Sequence, residues 1–279
     1  MILINGESSR HIDIADRGFQ YGDGLFETIE VIDKQPVFFD QHLKRLETGC
    51  HRLCIPFPGQ TLFISEVQKL CQRAPQSNKA VLKLIVTRGV GGRGYRLPEL
   101  IAPTRVLSLH PFPDYPDTYS EQGIVARFCT TRLGLNPTLA GIKHLNRLEQ
   151  VMARAEWNDT SIQEGIMLDV NDQVIEGTMT NLFYIKDKTL FTAPLNQSGV
   201  AGIIRKLIIE NAHLSGLTCI EHAFTKNNLC AADEAFVCNS IIGLWPIKQI
   251  ESHPLQVGPK TKRLQSWLMQ LKHEHCINE

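Results

Sequence analysis

The chain has no excess of either charge. Its 29 Lys+Arg balance 29 Asp+Glu over 279 residues. A net charge of zero lacks the electrostatic footprint of a general nucleic-acid or anionic-membrane binder, so neither partner is expected. No apolar run approaches the roughly 20 residues that a membrane-spanning helix requires. The start, MILINGESSRHIDIADRG, lacks the basic stretch and long apolar core of a signal peptide. The eight cysteines include no CxxC spacing, which argues against a zinc ribbon. Without a secretory signal they read as reduced thiols in a cytoplasm. His273, His275 and Cys276 could bind a metal adventitiously, but a solvated tail is the expected state and no metal site is predicted. There is no internal repeat or low-complexity segment.

What is present is ordinary for a globular protein: 43% hydrophobic and 21% charged residues, enough for one large or two medium domains. Strand-like and helix-like stretches alternate, so the fold class is α/β. Asn5-Gly6 marks an opening hairpin. Strands are expected over 28–32, 81–87, 105–109, 123–131, 164–170 and 235–238. Asp40 is a candidate N-cap for a helix whose face is Leu43, Leu46, Cys50 and Leu53. Further helices are expected over 62–72, from Ala201, and over 260–271. Leu145, Leu148, Met152 and Ala155 predict a helix starting just past Lys143. The proline-dense segment 111–121 reads as a linker. It separates a smaller domain, 1–110, from a larger one, 122–279, that contains Lys143.

Several residues invite chemistry. Lys143 sits in Ala-Gly-Ile-Lys-His-Leu-Asn, where small and apolar residues give way to a helical pattern. A lysine is ordinarily a solvated charge. With a pKa near 10.4, roughly one in 2,500 is neutral at pH 7, so a nucleophilic lysine needs an environment that removes its proton. Gly89, Gly91 and Gly94 satisfy G-x-G-x-x-G after a strand. Pro98 and Pro103 interrupt any following helix, and no Lys-Ser/Thr completes a P-loop, so both nucleotide readings fail on context. A helix starting beyond Gly202 would present unpaired N–H groups and a positive dipole end, which suit phosphate.

These stretches together resemble the class IV family of pyridoxal-phosphate enzymes. The segments are DRGFQYGDGLFET, HLKRL, TRGVGGRGY, AGIKHLNRLEQV, EGTMTNLF and GIIR followed by Asn239-Ser240, in the family's order. The resemblance implies a two-domain fold of mixed sheets with flanking helices, pyridoxal 5'-phosphate as cofactor, and a homodimer. It implies that Lys143 carries the cofactor and that Glu176 faces its pyridine nitrogen. Arg45, the backbone of Ile203 and Ile204, and Ser240 would hold its phosphate. Arg93 and Tyr95 fall at the positions that receive the substrate carboxylate, and Thr28 at an active-site threonine.

The KHLNRLEQV run, the GGRGY loop, Thr28 and Ile204 (where transaminases commonly place threonine) resemble the family's lyase branch. That branch cleaves 4-amino-4-deoxychorismate to 4-aminobenzoate and pyruvate on the way to folate. A class IV aminotransferase acting on D-amino or branched-chain amino acids is the alternative within the family. A non-catalytic phosphate-binding protein is the alternative outside it.

Overall fold

The computed structural model describes residues 1–72 and 78–277, with side chains as far as Glu274. His275 and Cys276 of the tail therefore lie outside the described side chains. The chain forms two compact units. The first comprises Met1–Pro113, Lys143–Asn146 and Lys272–Glu279; the second comprises Asp114–Ile142 and Arg147–Leu271.

The first unit contains β1 (Ile2–Ile4), β2 (Glu7–Ser8), α1 (Arg17–Tyr21), β3 (Gly24–Ile32), β4 (Gln35–Pro36), α2 (Phe39–Arg52), α3 (Gln60–Cys71), β5 (Lys79–Thr87) and β6 (Thr104–Pro111). Its strands form one sheet in the order β2-β1-β6-β5-β3-β4. Strand alternation sends Leu25, Glu27, Ile29 and Val31 to one face, matched across the register by Val86, Leu84, Leu82 and Ala80. α2 covers β3 on this face through Leu43 and Leu46, both buried. Phe26, Thr28 and Glu30 point to the other face. Asp40 does not cap α2: Phe38 holds the cap position in a left-handed conformation without a side-chain bond. Asp40 instead lies in the first turn, where its charge complements the helix dipole.

The second unit contains α4 (Thr118–Glu121), β7 (Ile124–Leu133), α5 (Leu148–Arg154), β8 (Glu164–Asp169), β9 (Val174–Gly177), β10 (Asn181–Lys186), β11 (Thr189–Thr192), α6 (Ile203–Asn211), β12 (Thr218–Glu221), α7 (Lys226–Cys230), β13 (Glu234–Asn239), β14 (Gly243–Ile250) and β15 (His253–Pro254). The last helix, α8, spans Pro259–Ile277. The sheet runs β12-β11-β10-β13-β14-β7-β8-β9, with β15 on β14. β9 also meets β10 at Glu176 and Asn181, so six strands close into a ring. Its interior is apolar, with Ile166, Leu168, Val174, Leu182, Val237 and Ile247 fully buried.

Further expectations need correction. Residues 143–147 are not helical, and α5 begins only at Leu148. The reason is pairing: His144 bridges Leu25, the Phe26 N–H donates to Lys143 O at 3.1 Å, and the Leu145 N–H donates to Gly24 O at 2.9 Å. These same contacts group Lys143 with the first unit rather than the second. The expected apolar face of α5 is also wrong. Leu148 and Met152 are exposed, and Ala153, with Trp157 beyond the helix, faces the core. Within 111–121, Thr118–Glu121 is helical. Tyr115 and Tyr119 set their rings edge-on to Trp245, so this stretch packs as part of the second unit.

Candidate active site

In the first unit, Lys143 lies directly across from Phe26 in the antiparallel bridge. Cross-strand neighbours share a face, and the Lys143 ammonium accordingly sits 4.3 Å from the Phe26 ring centroid. Thr28, half-buried, is two residues along the same face of β3. Lys83, its partner in the register, also reaches toward Phe26, at 5.7 Å.

Arg45 projects from α2 onto the opposite face of β3. Its Nε donates to Glu27 Oε1 at 2.8 Å, and its Nη2 donates to Oε2. His42 Nδ1 lies 2.6 Å from Glu27 Oε2. Burial opposes ionisation of Glu27, but the Arg45 charge and the His42 hydrogen bond outweigh it and bring the carboxyl down to about 2. Burial pushes the His42 pKa below its usual value, despite the pull of Glu27, and the charges of Arg45 and Lys143 add to the lowering. Arg45 is therefore the ionic partner. His42 is a neutral donor, protonated on Nδ1.

Arg93 and Tyr95 lie in the irregular segment after β5 and are exposed, Tyr95 at 85%.

In the second unit, Glu176 is buried at the end of β9. Its Oε2 accepts from the Val200 N–H at 2.9 Å and from Asn181 Nδ2 at 3.4 Å. Asn181 Nδ2 also donates to Val200 O at 2.8 Å. The pair that closes the strand ring thus holds the segment entering α6. Gly202 caps α6 without a side-chain bond. A Cβ on Gly202 would stand 2.0 Å from Asn181 Oδ1, so glycine is required there. Ile203 and Ile204 open the helix with their side chains buried.

Arg205, next along, is taken up by Ala193 O, at 2.8 Å, and by Glu221. Ser240 is half-buried in the turn after β13. Asn239 braces that turn, accepting from the N–H groups of Ile241 and Ile242 at 2.8 and 2.9 Å. Its amide donates to Met179 O at 3.1 Å, tying the turn to the connection between β9 and β10. Arg147 contributes charge beside Glu176: burial lowers the guanidinium's pKa, and Glu176 and Glu149 oppose that.

The structure thus gathers Lys143 and Thr28 on one sheet face, and Glu176, Ile203 and Ile204 around one helix end. Glu27, His42, Asn181 and Arg147, which bond to or lie beside the candidate residues, were not singled out by the sequence. Glu27 left a signal, being a charge on the inward positions of an otherwise apolar strand face. Asn181 and Arg147 lie inside the motifs and could have been taken from them.

The family model for Amino-transferase class IV matches residues 24–250. The aminodeoxychorismate lyase of Vibrio harveyi is 37% identical over 95% of this chain and 98% of its own length. A putative branched-chain-amino-acid aminotransferase of Methanocaldococcus jannaschii is 31% identical, covering 94% of this chain and 93% of that protein. The crystal structure of 4-amino-4-deoxychorismate lyase from Pseudomonas aeruginosa matches with a TM-score of 0.92 at 42% identity, over 97% of this chain and 98% of that one. Matched by the family model and by relatives along nearly its whole length, this chain belongs to the class IV aminotransferase family.

Proposed function

We propose that this protein is a pyridoxal-phosphate-dependent 4-amino-4-deoxychorismate lyase. The observation that carries the reading is its full-length likeness to lyases of that name, above its likeness to the aminotransferases. The residues fit the cofactor. Gly202 lets the entry to α6 pack against the Asn181 amide, where a Cβ would clash, and the start of α6 has no side-chain cap of its own. A buried carboxylate, Glu176, stands on the neighbouring strand end.

Lys143 would hold the cofactor through Nζ, and Glu176 would keep a proton on its pyridine nitrogen. Arg45, the N–H groups of Ile203 and Ile204, and Ser240 would hold the phosphate. When bound, pyridoxal phosphate supplies an electron sink. Lys143 Nζ would take the proton from the substrate ring carbon bearing nitrogen. Thr28 would deliver a proton to the departing enolpyruvyl group, and Arg93 and Tyr95 would receive the substrate's carboxylates. Pyruvate leaves as the ring becomes aromatic.

A homodimer belongs to this reading. Leu148, Val151 and Met152 on α5 form an exposed apolar patch at helical spacing, a surface that a second copy can cover. No helix among the described residues is long and apolar enough to cross a membrane. The described cysteines are all thiols, which fits a cytoplasmic setting.

The test is incubation with enzymatically generated aminodeoxychorismate alone. A lyase releases 4-aminobenzoate and pyruvate in equal amounts over many turnovers. Arrest after one turnover, relieved only by adding a keto acid, would identify a transaminase instead.

A further inference from the structure

α1 lies beneath the loop that carries Arg93 and Tyr95, and its side chains hold that loop at one residue, Gly94. Arg17 is buried, only 3% exposed. Its Nη1 donates to Gly94 O at 3.0 Å, and its Nε donates to Asp23 Oδ2 at 3.0 Å. On the other side of the same residue, the Gly94 N–H donates to the Tyr21 hydroxyl at 3.2 Å. The Arg17 guanidinium lies 4.9 Å from the centroid of the Tyr21 ring. The Tyr21 ring in turn meets Tyr95 edge-on, with centroids 5.6 Å apart.

The base of this arrangement is equally tied. The Arg17 N–H donates to Gly89 O at 2.9 Å, Asp16 bridges Val90, and Arg88 grips Asp23 at 2.7 and 2.9 Å. Two guanidiniums therefore share the Asp23 carboxylate. Gly94 has φ +83°, a left-handed conformation that disfavours any other residue there.

We infer that Arg17 and Tyr21 are positioning residues that latch the loop at Gly94 and thereby set where Arg93 and Tyr95 stand to receive the substrate's carboxylates. This rests on the reading of Arg93 and Tyr95 given above. Gly94 lies between those two residues, and both its polar backbone groups are bonded to α1. The flanking side chains are exposed, yet the backbone that aims them is fixed before substrate arrives. Ordering the backbone in advance removes that entropic cost from binding.

The test uses the holoenzyme with Tyr21→Phe, which removes one oxygen and keeps the ring contacts, and with Arg17→Gln as a second variant. Limited trypsin digestion reads the latch directly, because Arg93 and Arg96 are cleavage sites within the loop. We expect Tyr21→Phe to speed cleavage at Arg93 and Arg96 and to raise KM about fivefold. Its kcat and cofactor affinity should stay within about twofold, as a residue acting only on substrate placement requires. Unchanged cleavage and unchanged KM in both variants would overturn the latch. Faster cleavage with unchanged KM, while Arg93→Ala raises KM, would overturn the positioning role. An unchanged KM in Arg93→Ala itself would overturn the reading of the loop on which this inference rests.

Discussion

Glu27 and Arg45 are joined through both carboxylate oxygens, with the buried His42 ring on the same carboxylate. A guanidinium on a helix surface ordinarily samples many rotamers, and ordering it costs up to about 2 kcal/mol. In this fold that cost is met during folding, because Glu27 fixes the Arg45 head before any anion arrives.

The first prediction follows from this pre-ordering. Arg45→Ala should weaken pyridoxal phosphate binding by about 1.5–3 kcal/mol, the worth of a hydrogen bond to a charged group. Equilibrium titration of the apoprotein measures it. An unchanged dissociation constant would remove Arg45 from the phosphate site.

The same cluster predicts acid sensitivity, with a definite sign. The Glu27 pKa is lowered on folding to about 2, so the folded state binds this proton less readily than the unfolded one. The stabilisation, about 3 kcal/mol, is fully present above the unfolded carboxyl pKa and is lost as pH falls toward 2. His42, whose pKa is also lowered, acts in the same direction on acidification. Glu27→Gln should lower Tm at pH 7 and flatten the decline of Tm between about pH 4.5 and 2. Parallel Tm–pH curves for the two proteins would show that Glu27 is not the group responsible.

The parts of the fold that sequence reveals are those whose causes are local. The Asn5-Gly6 turn does produce the opening hairpin, with Leu3 opposite Ser8. The Leu43–Leu46–Cys50 face does bury α2. The start of α5 was hidden because its cause is distant: residues 143–145 are extended by pairing with Gly24–Phe26, and nothing near Lys143 encodes that partner. Its apolar residues gave the right period and the wrong burial, since periodicity cannot say whether a stripe meets a core or lies exposed. Closure of the strand ring through Glu176 and Asn181 has the same character. The candidate site residues all lie in short motifs of the sequence. The bonds that hold them in place were not legible there.

Lys143 should carry the cofactor. Borohydride reduction followed by peptide mapping is expected to find the pyridoxyl group on Lys143 alone. Lys143→Ala should bind the cofactor without covalent retention and lower kcat by at least about 10³-fold, because both the attachment point and the base are lost. A pyridoxyl group on a different lysine would relocate the active site.

Gly202→Ala should be costly out of proportion to one methyl group. The new Cβ would meet Asn181 Oδ1 at 2.0 Å, and Asn181 cannot retreat without loosening its bonds to Val200 and Glu176. Overpacking of this kind costs about 1–3 kcal/mol. The loss should appear both as a lower Tm and as weaker cofactor binding. A variant with wild-type Tm and affinity would mean that the α6 entry is plastic.

Thr28 is the residue whose role depends most on the reaction. It stands on the same face of β3 as Phe26, whose ring lies under the Lys143 ammonium, and Lys83 is its partner in the register. A hydroxyl there can relay a proton that a lysine has collected, and proton transfer to a leaving group contributes about 10²–10⁴-fold to such reactions. Thr28 takes no assigned part in holding the cofactor, so its loss should leave cofactor affinity alone. Thr28→Val preserves the β-branched shape that suits the strand and removes only the hydroxyl. It should lower kcat at least about tenfold with little change in cofactor affinity or Tm, while Thr28→Ser restores most of the rate. Equal rates for the valine and wild-type enzymes, measured with aminodeoxychorismate under single-turnover conditions, would assign proton delivery to another group, and Lys143 itself would be the first to test.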